Sequence, residues 1–123
     1  MIEKLTLEEM SSIYNTIIKD IGSDIDAKEI YNELLSAAIR YTDFRAGWSM
    51  MTNEEKLEKD SDRTSAHDSL IIKFNMLSRY LSSTGHDIEW REILGYIEND
   101  PLNRKRIGDM ANFLVFAEAI KNR

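Results

Sequence analysis

The sequence predicts an all-α chain, a compact bundle of four main helices plus one or two short ones. Three observations carry this. Apolar residues recur at helical spacing through most of the chain. Helix start and stop signals bracket those runs. One proline and five glycines among 123 residues are too few for the turns of a β-rich fold. The length suits a single domain, residues 1–123, large enough to bury one core without staples.

The first helix opens on Thr6-Leu7-Glu8-Glu9, a capping box in which Thr6 serves the N-terminal amides and Glu9 reaches back. Leu7, Met10, Tyr14, Ile17 and Ile21 form its stripe, and Gly22 ends it. In the acidic turn that follows, Asp26 is expected to cap the second helix, with Glu29 three residues on. That helix carries Ala27, Tyr31, Leu34, Ala38, Tyr41, Arg45 and Trp48 on one face, and small Ala37 and Ala38 would admit a close neighbour. Gly47 predicts a kink or an end near Trp48.

Thr52-Asn53-Glu54-Glu55 is a second capping box. The charged run from Asn53 to Asp62 has Leu57 as its one apolar anchor, so a marginal surface helix or a mobile connection is expected there. The segment from Arg63 to Leu81 reads as the central helix. Leu70, Ile71, Phe74, Leu77 and Leu81 form its main stripe, and Ile72, Met76 and Tyr80 a second apolar edge, predicting neighbours on two sides. Asp68, Asn75 and Arg79 line the polar strip between, and Ser82-Ser83-Thr84-Gly85 closes the helix. Ile88 to Ile97 predicts a short helix capped by Asp87. Asp100-Pro101 starts the last helix, which runs to about Lys121 and is apolar nearly all round from Met110 to Ile120, predicting deep burial.

Composition bounds the function. The absence of cysteine excludes disulfides, thiolate metal sites and a cysteine nucleophile, and it suits a cytoplasmic protein. Residues 1–7 carry Glu3 and no apolar core of a secretory signal, and no apolar run approaches the length of a membrane span. The net charge of −6 is uneven: Met1–Asp62 holds 14 acidic and 7 basic residues, and Arg63–Arg123 holds 8 and 9. This acidity disfavours nucleic acid and anionic membranes as partners.

The runs DRTSAHDSLIIKFNMLSRYL, EWREILG and RKRIGDMANFL resemble small uncharacterised helical proteins of Gram-positive bacteria and their mobile elements. The resemblance covers the C-terminal half and implies a bacterial cytoplasmic protein. It carries over no catalytic or binding residue.

The candidate site is a set of polar groups on apolar helix faces: Asp43 and Arg45 on the second helix, Arg63, His67 and Asp68 on the central one, Asp109 and Asn112 on the last. Charges facing a core need partners, so Asp43 or Asp109 should answer Arg45, Arg63 or His67 in a buried cluster linking three helices. Such a cluster either fixes helix register or forms a ligand pocket. A metal or other cofactor is not expected. Two histidines, His67 and His86, lack the spacing of a bundle metal site, and Glu55-x-x-Glu58 is a lone fragment of the repeated acidic motifs of helical nucleotide pyrophosphohydrolases. There is no phosphate-cradling glycine loop.

Arg104, Lys105 and Arg106 form a basic cluster where the helix dipole disfavours cations, which a phosphate or an acidic partner would explain. A helix-turn-helix built on Ile88–Tyr96 and the last helix conflicts with the apolar second half of that helix. Trp48 and Met51, with Arg104 and Arg106, are the candidate partner surface. The leading functional expectation is a protein-interaction or regulatory module, self-associating or with a protein partner, without catalysis. The alternatives are a small-ligand binder or enzyme using the polar cluster around His67, and an acidic inhibitor of a nucleic-acid-binding partner acting through Glu54–Asp62.

Overall fold

In the computed structural model, which describes residues 4–95 and 101–122 and the side chains of the last helix from residue 105 onward, the chain forms five helices. They are α1 (Leu7–Ile21), α2 (Ile25–Trp48), α3 (Asn53–Ser83), α4 (Glu89–Leu94) and α5 (Pro101–Lys121), with no strand among the described residues. The fold is an all-α bundle of four long helices and one short one. None of these helices is long and apolar enough to cross a membrane.

Local signals set most helix ends. Thr6 and Glu9 complete their capping box, with both bonds at 3.0 Å. Gly22, at φ +51, takes the conformation that ends α1. Thr52 and Glu55 close the second box, and α3 ends at Ser83 before Gly85 at φ +89. One cap differs from expectation. Asp24, not Asp26, starts α2, its Oδ1 accepting from the Ala27 amide at 3.1 Å. A contact remote in sequence selects it: Tyr80 on α3 donates to the other oxygen of Asp24 at 2.7 Å. That bond, then the Ala27 amide, holds the Asp24 carboxyl below the usual carboxylate range. Asp87 does accept from the Glu89 amide at the start of α4. The expected Asp100 cap, Tyr96 and Ile97 lie outside the described residues.

The core joins Ile13, Ile17 and Ile21 of α1, Tyr31, Leu34 and Ala38 of α2, Leu70, Phe74, Leu77 and Leu81 of α3, Trp90 and Leu94 of α4, and Ile107, Met110, Ala111 and Leu114 of α5. Phe74 and Leu77 are fully buried, as the main stripe requires. Its second edge is covered only at one end: Ile72 and Met76 are exposed, while Tyr80 is partly buried against the core. The helix packed on two sides is instead α2, which lies along both α3 and α5. Ala27 and Ala38 there are fully buried and Ala37 nearly so, and small side chains are what allow two backbones to approach one helix.

Two further expectations need correction. The charged run from Asn53 to Asp62 is neither separate nor a loose connection, because it is the first part of the 31-residue α3. Residues 53–65 are exposed except for Lys56, so this end of α3 runs along the surface. The second half of α5 is not buried all round, since Phe116 and Ile120 are exposed. Its buried stripe is Ile107, Met110, Ala111 and Leu114.

Candidate functional site

Where α2, α3 and the start of α5 meet, a cleft of about 570 Å³ opens, lined by Tyr41, Phe44, Arg45, Trp48, Ser49, Arg63, Thr64, His67 and Lys105. Helical periodicity places these side chains together. Tyr41, Arg45 and Trp48 share one face of α2, and Arg63 and His67 lie one turn apart on α3. Among the described residues the lining holds three cations and three aromatic rings besides His67, and no carboxylate. In a chain of net charge −6 that is a concentrated reversal of sign.

Gly108 determines how closely α5 approaches. A Cβ at that position would lie 2.8 Å from the Tyr41 hydroxyl and 3.1 Å from Nη1 of Arg45. Glycine inside a helix costs up to about 1 kcal/mol relative to alanine. Here its missing side chain leaves the space that Tyr41 and Arg45 occupy. Beside this crossing, Arg45 pairs with Asp109 at 3.8 Å and Thr42 donates to Asn112 at 3.0 Å.

The aromatic groups are held from several sides. The Tyr41 and His67 rings meet edge to face, 5.4 Å between centroids. The Arg63 guanidinium lies 4.8 Å from the Trp48 ring centroid, and Lys56 approaches the same ring at 6.0 Å. Arg63 also bonds Asp60 at 2.9 Å on the exposed side of α3. Lys4 sits against Lys105. That contact, followed by their mutual repulsion, lowers the Lys105 ammonium from the usual lysine range, with Arg45 adding to the effect.

The residues singled out from sequence therefore divide. His67 is buried at the cleft, and Arg45 and Arg63 line it half-exposed rather than enclosed. Asp109 answers Arg45, and Asn112 joins α5 to α2. Asp43 is exposed and forms no ion pair with another described residue, and Asp68 is exposed. Of the candidate partner surface, Trp48 lines the cleft and Met51 is half-buried. Arg106 is partly buried, with its Nε covered and without a hydrogen-bond partner, and the Arg104 side chain lies outside the described residues. Tyr41, Phe44, Ser49, Thr64 and Lys105 complete the cleft. The sequence offered two signals for them, the helical register of Tyr41 with Arg45 and Trp48 and the basic run 104–106 that holds Lys105.

Two buried polar groups went unread in the sequence. Glu118 on α5 accepts from the Tyr31 hydroxyl at 2.8 Å and the Tyr14 hydroxyl at 3.0 Å, joining α5 to α2 and α1. Burial, then these bonds, pushes Tyr14 up to about 12 and Tyr31 well above the usual phenol range. Arg91 on α4 is almost wholly buried. It donates from Nε and Nη2 to Asn75 Oδ1 at 3.0 and 2.8 Å, and from Nη1 to the Gly95 carbonyl. Glu118 is a lone charge inside an apolar run, and that was the available signal; Arg91, next to Glu92 and two residues from Glu89, carries no such signal. Both sites tie helices together. Among the described residues no group of three or more histidine, aspartate or glutamate side chains could hold a metal ion. Compared with protein-family models, with curated proteins and with solved structures, the chain matches none of them.

Proposed function

We propose that this protein is a small-ligand binder whose cleft between α2, α3 and α5 takes an organic anion with a flat apolar part. The observation that carries this reading is the lining itself: Arg45, Arg63 and Lys105 beside Tyr41, Phe44 and Trp48, with no carboxylate among them. A fold gains little from gathering like charges at one mouth, since exposed ion pairs contribute at most about 1 kcal/mol and repulsion offsets that. An anion reverses the balance. It meets preplaced donors, and the rings shield it from water. The volume also falls within the range of about 300–1,000 Å³ usual for small-molecule sites. Gly108 supports the reading, because it keeps Tyr41 and Arg45 in place at a cost to helix propensity.

Calorimetric titration with naphthalene-2-sulfonate at low salt tests it. Saturable one-to-one binding is expected, at least tenfold weaker in the Arg45→Gln/Arg63→Gln variant. Absence of binding, or equal binding by the variant, overturns the proposal.

The reading as an interaction module keeps one observation of its own. Met50 and Leu57 are exposed near the α2–α3 turn, at the end where α3 runs along the surface. Self-association through this tip would be abolished by Leu57→Glu, and sedimentation of the native protein as a monomer at high concentration would remove that reading.

A further inference from the structure

We infer that the anion is a phosphate monoester carried on a planar ring, a ligand of the nucleoside monophosphate class. This inference rests on the cleft being a small-anion site. It adds the charge of the ligand, its shape and its size.

Charge comes first. Arg45, Arg63 and Lys105 line the cleft, and Lys4 stands against Lys105. Two carboxylates engage these cations from outside the lining: Asp109 at 3.8 Å from Arg45 and Asp60 at 2.9 Å from Arg63. Among the described residues two positive charges are left over. A carboxylate or a sulfonate answers one of them. A phosphate monoester, close to a dianion at neutral pH, answers both. The donors also suit phosphate, for guanidinium forks bind its oxygens in pairs and a lysine adds a mobile point charge. The 3.8 Å separation between Arg45 and Asp109 is loose enough to leave Arg45 donors for a ligand.

Shape comes next. Unstacked bases are held on aromatic faces and on arginine planes, and the cleft offers Phe44, Trp48 and Tyr41 together with the Arg63 plane. Ser49, Thr64 and the Tyr41 hydroxyl supply neutral hydrogen-bonding groups in the same lining, as sugar hydroxyls and base edges require.

Size and the wider field limit the ligand to a single unit. The cleft holds about 570 Å³, and a chain of net charge −6 repels a polyanion beyond it. A mononucleotide fits that combination, and a nucleic-acid strand does not.

Calorimetry on the full chain separates the possibilities, with adenosine, guanosine, cytidine and uridine 5′-monophosphates, the matching nucleosides, inorganic phosphate and a short oligonucleotide as probes. At least one monophosphate should bind tenfold or more tightly than its nucleoside and than inorganic phosphate. Lys105→Gln should weaken that monophosphate at least fivefold, and more than it weakens naphthalene-2-sulfonate. If naphthalene-2-sulfonate binds and no monophosphate does, the inference is overturned and the cleft reading stands. If neither binds, both are overturned. Tighter binding of the oligonucleotide than of any monophosphate would also overturn it. Circular dichroism of Lys105→Gln confirms that the variant is folded, and because Lys105 is exposed its replacement should leave the melting curve in place.

Discussion

Glu118 shows how a single side chain can hold three helices. Its carboxylate is buried, and the hydroxyls of Tyr14 and Tyr31 both donate to one oxygen, from α1 and α2 respectively. Hydrogen bonds to a charged acceptor contribute about 1.5–3 kcal/mol, so Tyr31→Phe should lower the unfolding free energy by about that much in urea titrations. The same arrangement predicts an alkaline transition. A phenol whose folded pKa is raised contributes stability that is complete below its unfolded value near 10, and that is lost as pH climbs through the folded value, about 12 for Tyr14. Thermal melts should therefore begin to fall near pH 10, and the fall should be shallower in Tyr14→Phe/Tyr31→Phe. Phe74, fully buried in the middle of α3, sets the scale for the apolar core: Phe74→Ala should cost about 3–5 kcal/mol.

At the scale of elements, the ends of helices were legible where their causes are local. Thr6 with Glu9, Thr52 with Glu55, and the glycines at 22 and 85 each act within a few residues, and each does what its pattern predicts. The α2 cap was misread because two aspartates compete within one turn, and the deciding partner, Tyr80, lies far away in sequence. Accordingly Asp24→Ala should destabilise by about 0.5–2 kcal/mol, while Asp26→Ala should stay within about 0.5 kcal/mol. Periodicity located the buried face of α3 but could not say how many neighbours it has, so Ile72 and Met76 passed for a second contact. The cleft was partly legible. Arg45, Arg63, His67 and Trp48 stand out as polar or bulky residues at helical spacing. Lys105 stands out only as part of the basic run 104–106, and Gly108 does not stand out, because its role depends on where α5 crosses α2. Gly108→Ala tests that crossing. It should keep the fold, because the atoms it meets are the ends of side chains, and it should weaken binding of the naphthalene probe at least fivefold by displacing Tyr41 and Arg45. Calorimetry beside a melting curve separates the two effects.

Over the whole molecule, charge and packing divide the labour. The core of α1 to α5 is apolar and continuous, and its buried charges, Glu118 and Arg91, are each held by hydrogen bonds between helices. Cations instead converge at one solvent-reachable place, where their half-exposed ion pairs contribute little to the fold and they suit an anionic guest. The two tryptophans mark these regions separately, Trp48 at the cleft and Trp90 buried in the core. Heteronuclear NMR of the two indole N–H groups during titration with naphthalene-2-sulfonate is therefore the most direct test. The cleft account predicts a saturating shift of the Trp48 signal with Trp90 unmoved. A shift of Trp90 alone, or no shift of either, would contradict it.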